Sequence, residues 1–161
     1  GPVLIQSKLP INKDTNYEEI SKKMSDLGAK LIIDAIELIK NNKANFTPQD
    51  ESKVIYAKKI EKIESKINWS ESAEKILAKV RALNPNPGTW FELNGIRIKI
   101  TKAKKVDQSG KEGTIIDDNK MIIACKKNAL EVLELKKEGK KLMSAYEFLK
   151  GNKFKVGQIL N

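Results

Sequence analysis

Apolar positions recur along this chain at different spacings, and each change of spacing divides it. Ile20, Met24, Leu27, Leu31, Ala35 and Leu38 follow one another every three or four residues, the period of a single helix face. Ahead of them Thr15-Asn16-Tyr17-Glu18 sets a hydroxyl three residues before a carboxylate, the capping-box form, and Asn41-Asn42 closes the run. The pattern predicts a long amphipathic helix over residues 16–41. Its apolar stripe needs a surface to rest on, and the chain before residue 70 offers little. From residue 44 to 69 no period holds. Thr47-Pro48-Gln49-Asp50-Glu51 is turn-like, and Tyr56, Ile60, Ile63, Ile67 and Trp69 stand as scattered anchors among lysines, which reads as a linker. Helical spacing returns with Ile76, Leu77, Val80 and Leu83 behind Ser70 as the cap. It ends at Pro85 and Pro87, which remove donors and restrict the residues before them.

Beyond this corner the period becomes two. Trp90-Phe91-Glu92-Leu93 runs into Asn94-Gly95, a strong hairpin signal because a type I′ turn needs positive φ at both central residues. Ile96, Ile98 and Ile100 then alternate with Arg97, Lys99 and Thr101, one face buried and one wet and basic. Turn signals at Ser109-Gly110, Asp118-Asn119 and Lys127-Asn128 separate further short runs, so strands are expected over residues 89–93, 96–104, 113–117, 120–125 and 129–135. Ser144-Ala145-Tyr146-Glu147 is a second capping box opening a short helix that Gly151 stops, and residues 156–160 read as an edge strand. The expected class is α+β: an N-terminal helical segment and linker, then a five-stranded oligonucleotide-binding-like (OB-like) β-barrel with an appended short helix.

Charge sharpens this picture. The chain carries 31 Lys+Arg against 21 Asp+Glu, and the excess is uneven: 15 basic and 12 acidic side chains up to Gly88, 16 and 9 after it. The more cationic barrel half suits a polyphosphate ligand, although a lysine-rich solubilising surface has the same composition. With no histidine, imidazole acid/base chemistry, histidine metal sites and Ser/His or Cys/His pairs are excluded. The single cysteine, Cys125, follows Ile122-Ile123-Ala124 and reads as a small buried hydrophobe. No run is long and apolar enough to span a bilayer and no signal-peptide pattern opens the chain, so a cytoplasmic, soluble, monomeric protein is expected.

Candidate chemistry is sparse. Asp117-Asp118 reads as a hairpin turn, and Gly139-Lys140-Lys141 lacks the upstream glycine and loop-to-helix context of a phosphate loop. Neither supplies a metal, catalytic or cofactor-binding residue. What remains is the basic surface, with Arg97, Lys99, Lys102 and Lys104 in a row and Lys140 and Lys141 before the last helix; Trp90 and Phe91 are candidates to stack bases, but alternation puts one of them in the core, and core packing is the stronger reading for Trp90.

Four segments together resemble the methionyl-tRNA formyltransferases: Gly1-Pro2-Val3-Leu4, Ile67-Asn68-Trp69-Ser70, Val80 through Trp90, and Gly139 through Leu149. Asn68 and Asn86 depart from the family's usual Asp and aromatic residue, at positions that are not catalytic in it. The resemblance implies that residues 1–43 are the end of a catalytic domain, 44–69 a linker, and 70–161 the C-terminal barrel domain with its leading helix. It implies an upstream Rossmann-like domain that binds 10-formyltetrahydrofolate and carries the catalytic Asn, His and Asp. It further implies that this part binds initiator methionyl-tRNA through Lys58, Lys59, Lys62, Arg97, Lys99, Lys102, Lys140 and Lys141. Two alternatives stay open: a related formyltransferase or hydrolase acting on an amino-sugar nucleotide or a folate, and a free-standing RNA-binding module.

Overall fold

A computed structural model of the chain describes residues 1–160, which divide into two compact units, Gly1–Lys59 and a second beginning at Ile60. In the first, α1 (Tyr17–Lys40) forms as the periodicity predicts, but its cap is Asn16, whose side chain accepts from the Glu19 backbone N–H at 2.9 Å. Thr15 instead accepts from the Asn12 N–H at 3.0 Å, so the helix starts one residue later than the capping-box reading placed it. Leu27, Leu31, Ala35 and Leu38 form its less exposed stripe, and only Ala35 is buried. Ile32, Ile33, Ile36 and Ile39 remain more than half exposed. Val3 and Thr47 exchange two backbone hydrogen bonds of 2.9 Å within the same unit.

Among the described residues, every buried apolar side chain apart from Ala35 belongs to the second unit. There α2 (Ala73–Leu83) is capped by Ser72, not Ser70; the Ser72 hydroxyl accepts from the Lys75 N–H at 3.3 Å. Ser70 is occupied elsewhere, bonding through its hydroxyl to the Glu112 carboxylate. The helix buries Ala73, Ile76, Val80 and Leu83, and the first three form one core with Ile67, Trp69, Phe91, Ile98, Ile100 and Leu130.

Six antiparallel strands follow: β1 (Thr89–Leu93), β2 (Ile96–Val106), β3 (Ile115–Asp117), β4 (Ile122–Ala124), β5 (Ala129–Lys137) and β6 (Leu142–Ser144). The hairpin forms as expected, with Asn94 at φ 51° and Gly95 at 75°. Asp117-Asp118 likewise opens the β3–β4 turn, Asp117 Oδ1 accepting from the N–H groups of Asn119 and Lys120 at 2.9 and 3.1 Å. The α+β class holds, but the closed five-stranded barrel does not. The hydrogen-bonded order is β1-β2-β5-β4-β3, with β6 attached to β5 and no closure between the two end strands. Irregular chain lies along both ends instead: Lys66 makes a parallel bridge to Trp90 beside β1, and Thr114 bridges Ile159 beside β3. Residues 156–160, expected as an edge strand, form this second covering; the Ile115 N–H donates to the Gln158 carbonyl at 2.9 Å. β6 escaped the sequence reading because it has three residues and the last of them, Ser144, is also the cap of the helix that follows. α3 (Ala145–Gly151) keeps the full capping box: the Ser144 hydroxyl accepts from the Glu147 N–H at 3.1 Å and the Glu147 carboxylate from the Ser144 N–H at 3.0 Å.

Candidate nucleic-acid interface

The outward face of β1, β2 and β5 carries the charge. Cross-strand register sets Trp90 opposite Lys99 and Lys99 opposite Lys136, with Glu92 opposite Arg97 one step along. Because side chains alternate across a sheet, these residues share one face while Phe91, Ile98, Ile100 and Leu135 point into the core. The single-turn helix Lys62–Ser65 and the corner at Asn86 and Pro87 wall this face on two sides, leaving a cleft of about 420 Å³.

Trp90 is the floor of the cleft. Its indole N–H lies 3.2 Å from the Ser65 hydroxyl, which in turn donates to the Lys62 carbonyl at 2.7 Å. The Ile67 N–H donates to the Trp90 carbonyl at 2.7 Å, so chain segment and strand are joined through both backbone and side chain. The Arg97 guanidinium sits 4.4 Å from the ring centroid and the Lys66 ammonium 5.5 Å from it, and Trp90 is only 6% exposed. A base therefore has no open ring face to stack on, at Trp90 or at the fully buried Phe91. Both are excluded from the stacking role their composition suggested.

Gly88 keeps this corner tight. Its φ of +80° disfavours any L side chain, and a Cβ there would stand 2.9 Å from Lys99 Cδ and 3.3 Å from the Pro85 carbonyl oxygen. The peptide bonds before Pro85 and Pro87 are both cis.

Ion pairing sorts the lysines. Lys104 pairs with Glu131 at 3.1 Å, and Lys105 with Glu74 at 3.0 Å, a contact that holds the Lys105 amine above its ordinary range. Lys102, a predicted phosphate contact, lies 3.8 Å from Glu134 and outside the cleft. By contrast, Lys62, Arg97, Lys99, Lys136 and Lys137 line the cleft, and among the described residues none of the five is in an ion pair; Glu138 is the one carboxylate there. Of the predicted residues, the structure thus brings together Lys62, Arg97 and Lys99. Lys140 and Lys141 are exposed in the turn after β5, beyond Gly139 at the cleft's rim, and Lys58 and Lys59 are exposed at the end of the first unit.

Sequence reasoning missed Ser65, Lys136 and Lys137. The lysine pair was visible, but its place depends on the pairing of β2 with β5, two elements that no hairpin joins. Cys125 is buried and free, and burial pushes its thiol up to about 12. No group of three metal-ligating His, Cys, Asp or Glu side chains occurs among the described residues, and no described helix is long and apolar enough to cross a membrane.

A family profile described as "Formyl transferase, C-terminal domain" matches residues 59–153. The chain is 36% identical over 163 residues to a methionyl-tRNA formyltransferase of Parvibaculum lavamentivorans, covering 98% of this chain and 53% of that protein. It is 39% identical over 165 residues to the methionyl-tRNA formyltransferase of Dictyoglomus turgidum, covering 98% and 52%. The chain spans about half the length of these curated relatives. A crystal structure of HypX from Aquifex aeolicus superposes with a TM-score of 0.69 at 19% identity, over 100% of this chain and 32% of that one, a likeness of fold alone.

Proposed function

Since the chain belongs to the methionyl-tRNA formyltransferase family, whose C-terminal domain it carries, we propose that it grips initiator tRNA for formyl transfer from 10-formyltetrahydrofolate. In that reaction the methionine amine attacks the formyl carbon, the bond from that carbon to the folate nitrogen breaks, and an amide replaces it. The residues that perform this chemistry, and those that hold the folate, are assigned to the part of the family protein outside this chain. What this chain contributes is orientation: cations on β1, β2 and β5 hold backbone phosphates so that the aminoacylated end is presented to the reacting centre, catalysis by positioning. Residues 1–43 then belong with the catalytic domain, 44–69 link, and the remainder is the tRNA-binding domain, acting in the cytoplasm as a monomer.

The observation that carries this reading is the set of cations left without carboxylate partners around Trp90, on a sheet whose neighbouring lysines are paired. A structural surface would neutralise both sets alike. Titrating labelled tRNA with the chain at rising salt tests it. The logarithm of the affinity is expected to fall linearly with the logarithm of salt concentration, by about 0.7 to 0.9 per phosphate neutralised, and a salt-independent affinity overturns the reading. The chain alone is expected to show no formyl transfer.

A further inference from the structure

Trp90 serves Arg97 better than it would serve a base, and this decides what the cleft can hold. A guanidinium held over an indole keeps its N–H groups in its own plane, and among the described residues Arg97 is in no ion pair: Glu92 opposite it is paired with Lys66, and Glu138 is the one carboxylate in the cleft. The indole beneath is itself fixed through its N–H to Ser65, and the strand that carries it through the Trp90 backbone carbonyl, which accepts from the Ile67 N–H. Arg97 is therefore held in one attitude by groups that bind no ligand themselves, while Lys99 and Lys136, which face each other one row along the sheet, line the same cleft as point charges. A planar fork flanked by two ammonium groups fits a tetrahedral oxyanion, which the fork can meet with two parallel hydrogen bonds. No aromatic face is open in the cleft, so a base has nothing to lie against.

We infer that this cleft is a discrete seat for one phosphate group of the RNA backbone, in which Arg97 is the recognising residue and Trp90 a positioning residue that pre-orients it. The inference rests on the RNA-gripping role proposed above, and narrows it from a diffuse basic surface to a single geometric contact. It implies that charge alone does not suffice at position 97.

The test uses the whole chain. The side-chain N–H resonances of Arg97 and Trp90 are followed by NMR during titration with inorganic phosphate, ionic strength being balanced with chloride, and tRNA affinity is measured on the same samples. Wild type is expected to show saturable shifts of both resonances. Arg97→Lys, which keeps the charge but loses the fork and the stack, is expected to abolish the phosphate-dependent Trp90 shift. It should also weaken tRNA binding about five- to tenfold with an unchanged salt slope. Trp90→Phe, which keeps a ring but not the bond to Ser65, should fall between the two. Wild-type affinity in Arg97→Lys, or shifts that fail to saturate, would overturn the seat. Should phosphate leave both resonances unmoved while tRNA still binds with a steep salt slope, the seat fails and the gripping role stands. Saturable phosphate binding without any tRNA binding would overturn both the broader role and the assignment of the seat to RNA, leaving an oxyanion site for another ligand.

Discussion

Single residues with unusual surroundings give the sharpest expectations. Gly88 combines a positive φ with a crowded Cβ position, so Gly88→Ala is expected to cost about 1 to 3 kcal/mol in urea unfolding and to displace Lys99 from its place beside Trp90. An unchanged unfolding midpoint would show that the corner tolerates a side chain. Cys125 is 3% exposed and its thiol sits near 12, so at pH 8 it should stay unmodified by a thiol reagent in the folded chain and react once urea unfolds it. Its inertness was legible from the apolar run before it. The role of Trp90 was not, because alternation shows which face of a strand a side chain takes but not what a distant segment lays over that face; here the residues from Lys62 to Ile67 do so.

At the scale of elements, local signals located the helices and the hairpin to within a few residues and failed where a competing partner took the polar group. Thr15 and Ser70 look like caps in sequence, yet Asn12 and Glu112 claim them, and the caps pass to Asn16 and Ser72. Ser144 has no such competitor, and its box with Glu147 forms as written. The Ser144 backbone N–H, and after it the Ser144 hydroxyl, hold the Glu147 carboxyl below the usual carboxylate range. A group whose folded value is depressed adds stability above its unfolded value, about 4.3 for glutamate, and loses it as pH falls through the folded value. Stability, read as the urea midpoint, should therefore decline below about pH 4, and Glu147→Gln should flatten that decline. Glu71, held low chiefly by Lys75 at 2.6 Å, acts in the same direction, so part of the acid slope is expected to survive the substitution.

For the whole molecule, the uneven distribution of buried side chains is decisive. With Ala35 the sole buried apolar residue before Ile67, the segment beginning at Ile60 is expected to unfold cooperatively when produced alone, with an unfolding midpoint close to that of the full chain. A broad, non-cooperative melt would show that it depends on the first unit. The α+β class and the basic character of the sheet were legible, since patterning and charge are properties of the string. The assembly of the cleft was not, because it needs β2 to meet β5 and the chain from Lys62 to Ile67 to meet β1, contacts whose partners lie far apart in sequence. The open order of the strands has one more effect. A terminal strand with free backbone donors and acceptors is a template on which another molecule can add its own strand. Lying beside β1 and β3, the stretches around Lys66 and Ile159 deny a neighbouring copy that template at the two ends of the strand order, and they are themselves too irregular to propagate it.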